Sequence, residues 1–214
     1  MLIHPWDATV NDDEWRSWLA DGREFGQLIA RGMEEWPVVV PTHFLLEGQR
    51  VVLHLARPNP VWKALEADPR AVLSIIDDYA YIPTTWRAPA DTPPEQGVPT
   101  SYYGAVQLHC AATIIDDPAE KADVLRRQLA ALQPAGDYAQ VDVVDGPYSR
   151  MLSGIRALAL DIVNVKAKFK VDDHKPAEHR LAVAARLQQR GQGRDLPARA
   201  LQLRRLDVNT TQPS

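Results

Sequence analysis

The chain has 214 residues, 45% of them hydrophobic and 24% charged, and a formal net charge of −4. This is ordinary for a globular protein with a sizeable core; no apolar run approaches the roughly 20 residues of a membrane helix. The single cysteine, Cys110, excludes an internal disulfide and a thiol-rich metal site. The N-terminal stretch carries Asp7, Asp12, Asp13 and Glu14 with no basic or apolar leader, which sets the expectation of a cytoplasmic protein.

In chain order, Asn11 to Arg31 reads as an amphipathic helix with Trp15, Trp18, Leu19 and Phe25 on its apolar side. Trp36 to Leu46 reads as a strand, turned at Glu47-Gly48-Gln49 and returning through Val51 to Leu55 as a hairpin. Asn59 is a good helix cap and Pro60 suits a first helical position, so a short helix is predicted from Pro60 to Ala67. The strand-to-helix junction beside Arg57 and Asn59 has two readings, an anion site rimmed by a guanidinium or a plain capped surface helix.

Ala71 to Asp77 reads as a strand buried on both faces. Tyr81 to Thr100 holds Pro83, Pro89, Pro93, Pro94 and Pro99 and is predicted to be irregular. Its Tyr81 and Trp86 either pin the loop to the core or face a ligand. Tyr102 to Ile115 is a long strand, and Asp116-Asp117-Pro118 caps a helix running to Leu132. A loop from Gln133 to Gly146, a short helix from Pro147 to Ser153 and an alternating strand from Ile155 follow, extended through Lys170. Pro176 to Arg190 is a helix with Leu181, Ala184, Ala185 and Leu187 at core spacing, and Leu196 to Leu206 is a second, basic one.

Hairpin-linked strands with inserted helices suggest an antiparallel barrel. With no repeat and no linker, a single domain over 1–206 is expected, including basic helices at about 175–206, with a polar tail at 207–214. Between Asn164 and Leu206 there are 11 Lys or Arg against 4 Asp or Glu. That segment either contacts nucleic acid or pairs with the acidic remainder or a partner subunit.

The segment His54-Leu55-Ala56-Arg57 followed by Asn59-Pro60-Val61-Trp62-Lys63 resembles the one that marks PaiB-type FMN-binding negative transcriptional regulators. Tyr81-Ile82-Pro83 with Thr85-Trp86, Val98-Pro99-Thr100 with Tyr103, and Lys168-Phe169-Lys170 with Pro176 and Arg180 resemble further segments of that family in the same order. The resemblance implies an antiparallel split β-barrel with peripheral helices, like the flavin reductases and pyridoxamine-phosphate oxidases. It also implies a homodimer holding FMN in a groove between subunits. On that reading Arg57, Asn59 and Lys63 hold the phosphate, within the segment that also contains Ala56 and Trp62. His54, Tyr81, Trp86 and Thr100 line the groove, Tyr102 adds an aromatic wall, and Lys168 reaches the ligand across the subunit interface.

This sequence departs from the family pattern near the groove. Ser101-Tyr102 stands in place of Trp-Asn, Asp172-Asp173-His174 in place of Ser-Gln-Asn, and Arg87 in place of Tyr, with a proline-rich insert from Ala88 to Gly97.

Other chemistry has weaker support. Histidines with zinc-helix spacing, a Gly-x-Ser-x-Gly turn and a P-loop are all missing, and no metal site or catalytic residue is assigned. His54 and His109 lie on predicted strands and could share a cavity, which keeps haem as an alternative ligand. An FMN-dependent oxidoreductase is a second alternative. DNA is a candidate partner through Arg186 and Arg190, although a solvated basic face or a dimer contact accounts for them more simply.

Overall fold

The computed structural model of the chain describes residues 1–89 and 91–211, with 208–211 described by backbone alone. Among these residues there are seven strands. They are β1 (Phe25–Ala30), β2 (Val38–His43), β3 (Leu45–Glu47), β4 (Arg50–Ala56), β5 (Arg70–Ile82), β6 (Thr100–Ile115) and β7 (Ile155–Lys170). The helices are α1 (Asp12–Ala20), α2 (Val61–Ala67), α3 (Pro118–Leu132), α4 (Pro147–Met151), α5 (Ala177–Arg190) and α6 (Asp195–Thr211). The strands form one antiparallel sheet in the order β2-β1-β5-β6-β7-β4-β3. No helix among the described residues is long and apolar enough to cross a membrane.

The chain divides into two compact units. One comprises Met1–Arg16, Ile76–Val106 and the chain from Ala167 onward; the other comprises Ser17–Ile75 and Gln107–Lys166. The long strands β5, β6 and β7 contribute residues to both.

In the second unit, β1 pairs with β2 and β5, β3 with β4, and β4 with β7. Val52 of β4, Val124 of α3 and Ala157 and Ala159 of β7 form one buried cluster. Pro41 sits in β2, an edge strand, where a missing N–H disturbs no ladder. In the first unit, α5 packs on α6, and Val183, Ala184, Leu187, Ala198 and Leu201 are buried.

Several sequence expectations need correction. The helix expected over Asn11–Arg31 ends at Ala20, because Gly22 takes a left-handed turn (φ +74°) and the chain re-enters as β1. Phe25 consequently lies exposed on a strand. Gly26 lets β1 approach β5 closely, since a Cβ there would meet the Ser74 carbonyl at 3.0 Å. The strand expected over Trp36–Leu46 is broken at Phe44. Only its last part forms the hairpin with β4, while Val38–His43 pairs with β1 instead. β5 runs on to Ile82 and alternates rather than being buried on both faces, whereas Ala157–Leu160 of β7 is buried without alternation. In α5 the buried face carries Arg180 and Val183, leaving Leu181 and Ala185 exposed. α6 extends to Thr211, into the expected tail; 212–214 lie outside the described residues.

Candidate functional site

The second unit contains the β4–α2 junction. Asn59 Oδ1 accepts the Val61 N–H at 3.0 Å and caps α2, as its residue type predicts. The Ala56 carbonyl accepts the buried Trp62 indole N–H at 2.9 Å and the Asn59 N–H at 3.0 Å, which locks strand to helix. Arg57 is held at both ends. Its backbone N–H reaches the Gly154 carbonyl at 2.8 Å, and its Nε donates to the Ser153 carbonyl at 2.8 Å. Half of its side chain remains exposed, and Asp116 lies 3.5 Å from Nη2. Lys63 is exposed on α2.

Sequence reasoning missed the groups around this junction. Arg156 stacks over the Trp62 ring at 5.2 Å and grips Asp116 through Nε and Nη2, at 2.9 and 2.6 Å. It also binds Glu66 at 2.6 Å. This grip by Arg156, together with Arg57 and Lys121 nearby, holds the Asp116 carboxyl below the ordinary carboxylate range. Lys121 is buried, donates to the Leu152 carbonyl at 2.5 Å and is shifted downward by burial and by Arg57. Arg156 sits on a strand and Lys121 in an amphipathic helix, where a cation's partners carry no local signature.

His54, also in the second unit, donates to or accepts from Gln128 Oε1 through Nδ1 at 2.6 Å. It lines a cavity of about 420 Å³ together with Phe25, His43, Leu125, Gln128 and Leu129. That volume is within the range of small-ligand sites. His109 lines a different cavity, beside Cys110 and Val163. The shared His54–His109 cavity suggested by the sequence is therefore replaced by one shared by His54 and His43. His54 reaches α3 through Gln128, and His43 stacks edge-on against Phe25 at 4.8 Å in the same cavity.

The remaining predicted site residues belong to the first unit. Tyr81 is exposed, and its carbonyl accepts from Arg190 at 2.9 Å. Trp86 is half-buried under the Arg190 guanidinium, 4.6 Å from its ring centre. Thr100 Oγ1 accepts from Lys170. Tyr102 is fully buried and donates to Asp172 Oδ2 at 3.1 Å, and burial beside that carboxylate pushes its hydroxyl far up. Lys168 is buried, 2.9 Å from the Leu2 carbonyl and 3.4 Å from Asp7.

Part of the charge of the basic C-terminal segment is paired within this unit. Arg180 pairs with Asp173 at 2.6 Å, Arg190 with Asp195 at 2.6 Å, and Arg205 with both Asp173 and Glu14 at 2.5 Å. Arg194 pairs with Asp77. Of the eleven Lys and Arg between Asn164 and Leu206, at least five (Lys168, Arg180, Arg190, Arg194 and Arg205) pair with acidic residues of the same chain, so this reading from the sequence accounts for part of the charge.

The comparisons with known proteins fit this picture. Comparison with curated sequences finds no match. Among solved structures, the chain is similar to the flavocytochrome Anf3 from Azotobacter vinelandii. The two are 22% identical with a TM-score of 0.62, over 81% of this chain and 74% of that one. It is also similar to the FAD and haem binding protein from Mycobacterium smegmatis, at 17% identity and a TM-score of 0.59, over 82% of this chain and 79% of that one. These likenesses concern the fold, which is of the split-barrel class expected from the sequence. Residues 1–164 match the family profile described as "Putative FMN-binding domain". That match takes in the β4–α2 junction and the His54 cavity, and the chain belongs to this FMN-binding domain family.

Proposed function

We propose that the chain binds FMN as a flavin sensor of the PaiB regulator type, acting as a homodimer, with the flavin phosphate on Arg57 and Lys63. The observation that carries this is the state of Arg57. Its guanidinium is anchored through Nε on the Ser153 carbonyl at 2.8 Å and through Nη2 on the Ile155 carbonyl at 3.4 Å and Asp116 Oδ1 at 3.5 Å, which fixes it at low entropic cost. Its Nη1 has no hydrogen-bond partner among the described residues, and half of the side chain faces water. A prepositioned, partly unused guanidinium suits a phosphate oxygen. Lys63 adds an exposed cation on α2, and Asn59 keeps the junction in shape. Bound FMN supplies electron-transfer chemistry. The residues of this chain supply binding and orientation, and His54, held by Gln128, lines the cavity between β4 and α3.

Gel filtration after mixing with FMN or riboflavin tests this. FMN should be retained. Arg57→Ala should lower FMN affinity by about tenfold or more, as for loss of a charge-assisted hydrogen bond, and leave riboflavin affinity unchanged. Failure to retain either flavin overturns the reading.

A second reading is favoured by His43 and His54 sharing one cavity, as two imidazoles offer haem ligation. The similarity to a flavocytochrome and to an FAD and haem binding protein supports it. Haem added to the purified chain should then give a Soret band that His54→Ala abolishes.

A further inference from the structure

A second cavity lies in the first unit, against the start of α5. It measures about 470 Å³, and its lining includes Trp86, Pro89, Lys175, Glu178, His179 and Arg186. Lys175, His179 and Arg186 lie beyond the stretch matched by the family profile, which ends at residue 164. We propose that this cavity binds a phosphate monoester carried on a flat organic body, a ligand of mononucleotide size. This inference does not depend on the flavin reading.

Charge and hydrogen bonding support it. Lys175 is exposed and engaged in no ion pair among the described residues. Arg186 donates only Nη1, to the Thr85 carbonyl at 3.1 Å, and its other donors have no partner there. His179 Nε2 is buried with no hydrogen-bond partner among the described residues, and Asp172 Oδ2 lies 3.9 Å away. Pro176 caps α5 without a side-chain acceptor, so the first N–H groups of this fourteen-residue helix are left for another acceptor. Arg87 also lines the cavity, but Asp172 satisfies it, so it contributes little net charge. Glu178 is the opposing charge at the rim.

The surroundings of His179 are electropositive. Burial lowers its pKa, Asp172 opposes that, and Arg87, Lys175 and Arg186 push it lower still. A dianion entering the cavity would reverse the penalty that these cations impose on one another. Trp86, Ala88, Pro89 and Ala182 supply the apolar wall that a bare phosphate would not need.

Calorimetric titration of the full chain with AMP and with inorganic phosphate, at low ionic strength, tests the proposal. AMP should bind saturably and more tightly than inorganic phosphate. Lys175→Ala and Arg186→Ala should each weaken AMP about tenfold, and Glu178→Gln should tighten it. All three positions are exposed, so circular dichroism should be unchanged. No AMP binding, or binding indifferent to these substitutions, overturns the site. Equal affinity for AMP and inorganic phosphate overturns the organic body. Loss of FMN retention in the same variants would make this the flavin's own cavity and overturn its independence.

Discussion

Arg87 and Asp172 hold each other through two hydrogen bonds, Nε to Oδ2 at 2.8 Å and Nη2 to Oδ1 at 3.0 Å, with both side chains largely shielded from water. Tyr102 donates to the same Oδ2 at 3.1 Å. All three residues are departures from the PaiB-type pattern, far apart in sequence, and the fold brings them to one carboxylate. Removing one partner strands a buried charge. Arg87→Ala should therefore cost about 3 kcal/mol or more in urea unfolding. The double variant Arg87→Ala/Asp172→Asn should cost less than the sum of the singles. Asn is chosen because residue 172 sits at φ +60°, a region that Asn tolerates well.

Asp116 and Asp195 are held below the ordinary carboxylate range, chiefly by hydrogen bonds from Arg156 and from Arg190. A carboxyl depressed on folding adds stability above its unfolded value of about 3.9. That stability is lost as pH falls through the folded value. Unfolding free energy measured by urea titration should drop below about pH 4. Asp195→Asn, the more buried of the two, should flatten that drop; an unchanged acid limb would show that these pairs do not govern it.

Burial pushes the Cys110 thiol up to about 12. Since the thiolate is the nucleophile, iodoacetamide at pH 8 should leave the native protein unmodified and alkylate it in denaturant. Rapid native labelling would mean that this part of β6 opens to solvent.

Asp117 accepts the N–H groups of Ala119 and Glu120, both at 2.9 Å, at the start of α3. Asp117→Ala should lower stability by about 1 kcal/mol, with little change in flavin binding. Thermal melts of the two proteins, with and without FMN, check both halves of that statement.

Gln128 is buried and holds His54 at 2.6 Å. Gln128→Leu should free the imidazole, changing the flavin or haem spectrum while leaving FMN retention through Arg57 in place. Difference spectra of the loaded proteins report this.

The sequence by itself determined what neighbouring residues decide among themselves. Asp117 before Pro118 fixed the start of α3, Gly48 the β3–β4 turn, and Asn59 the entry to α2. Caps and tight turns are bonds within a few residues, so residue type and spacing suffice. Even there, the Trp15–Trp18 helical rhythm obscured the stop at Gly22, since a strand was waiting beyond it.

Only the tertiary structure decided which strand β2 would pair with, which face of α5 would be buried, and that His54 would share its cavity with His43 rather than His109. It also turned Arg180, Arg205, Asp172 and Asp173 from apparent surface charge into a buried network. Such outcomes depend on desolvation repaid by partners scores of residues away. A charge far along the chain leaves no mark in local periodicity, so the sequence showed the ions but not their pairing.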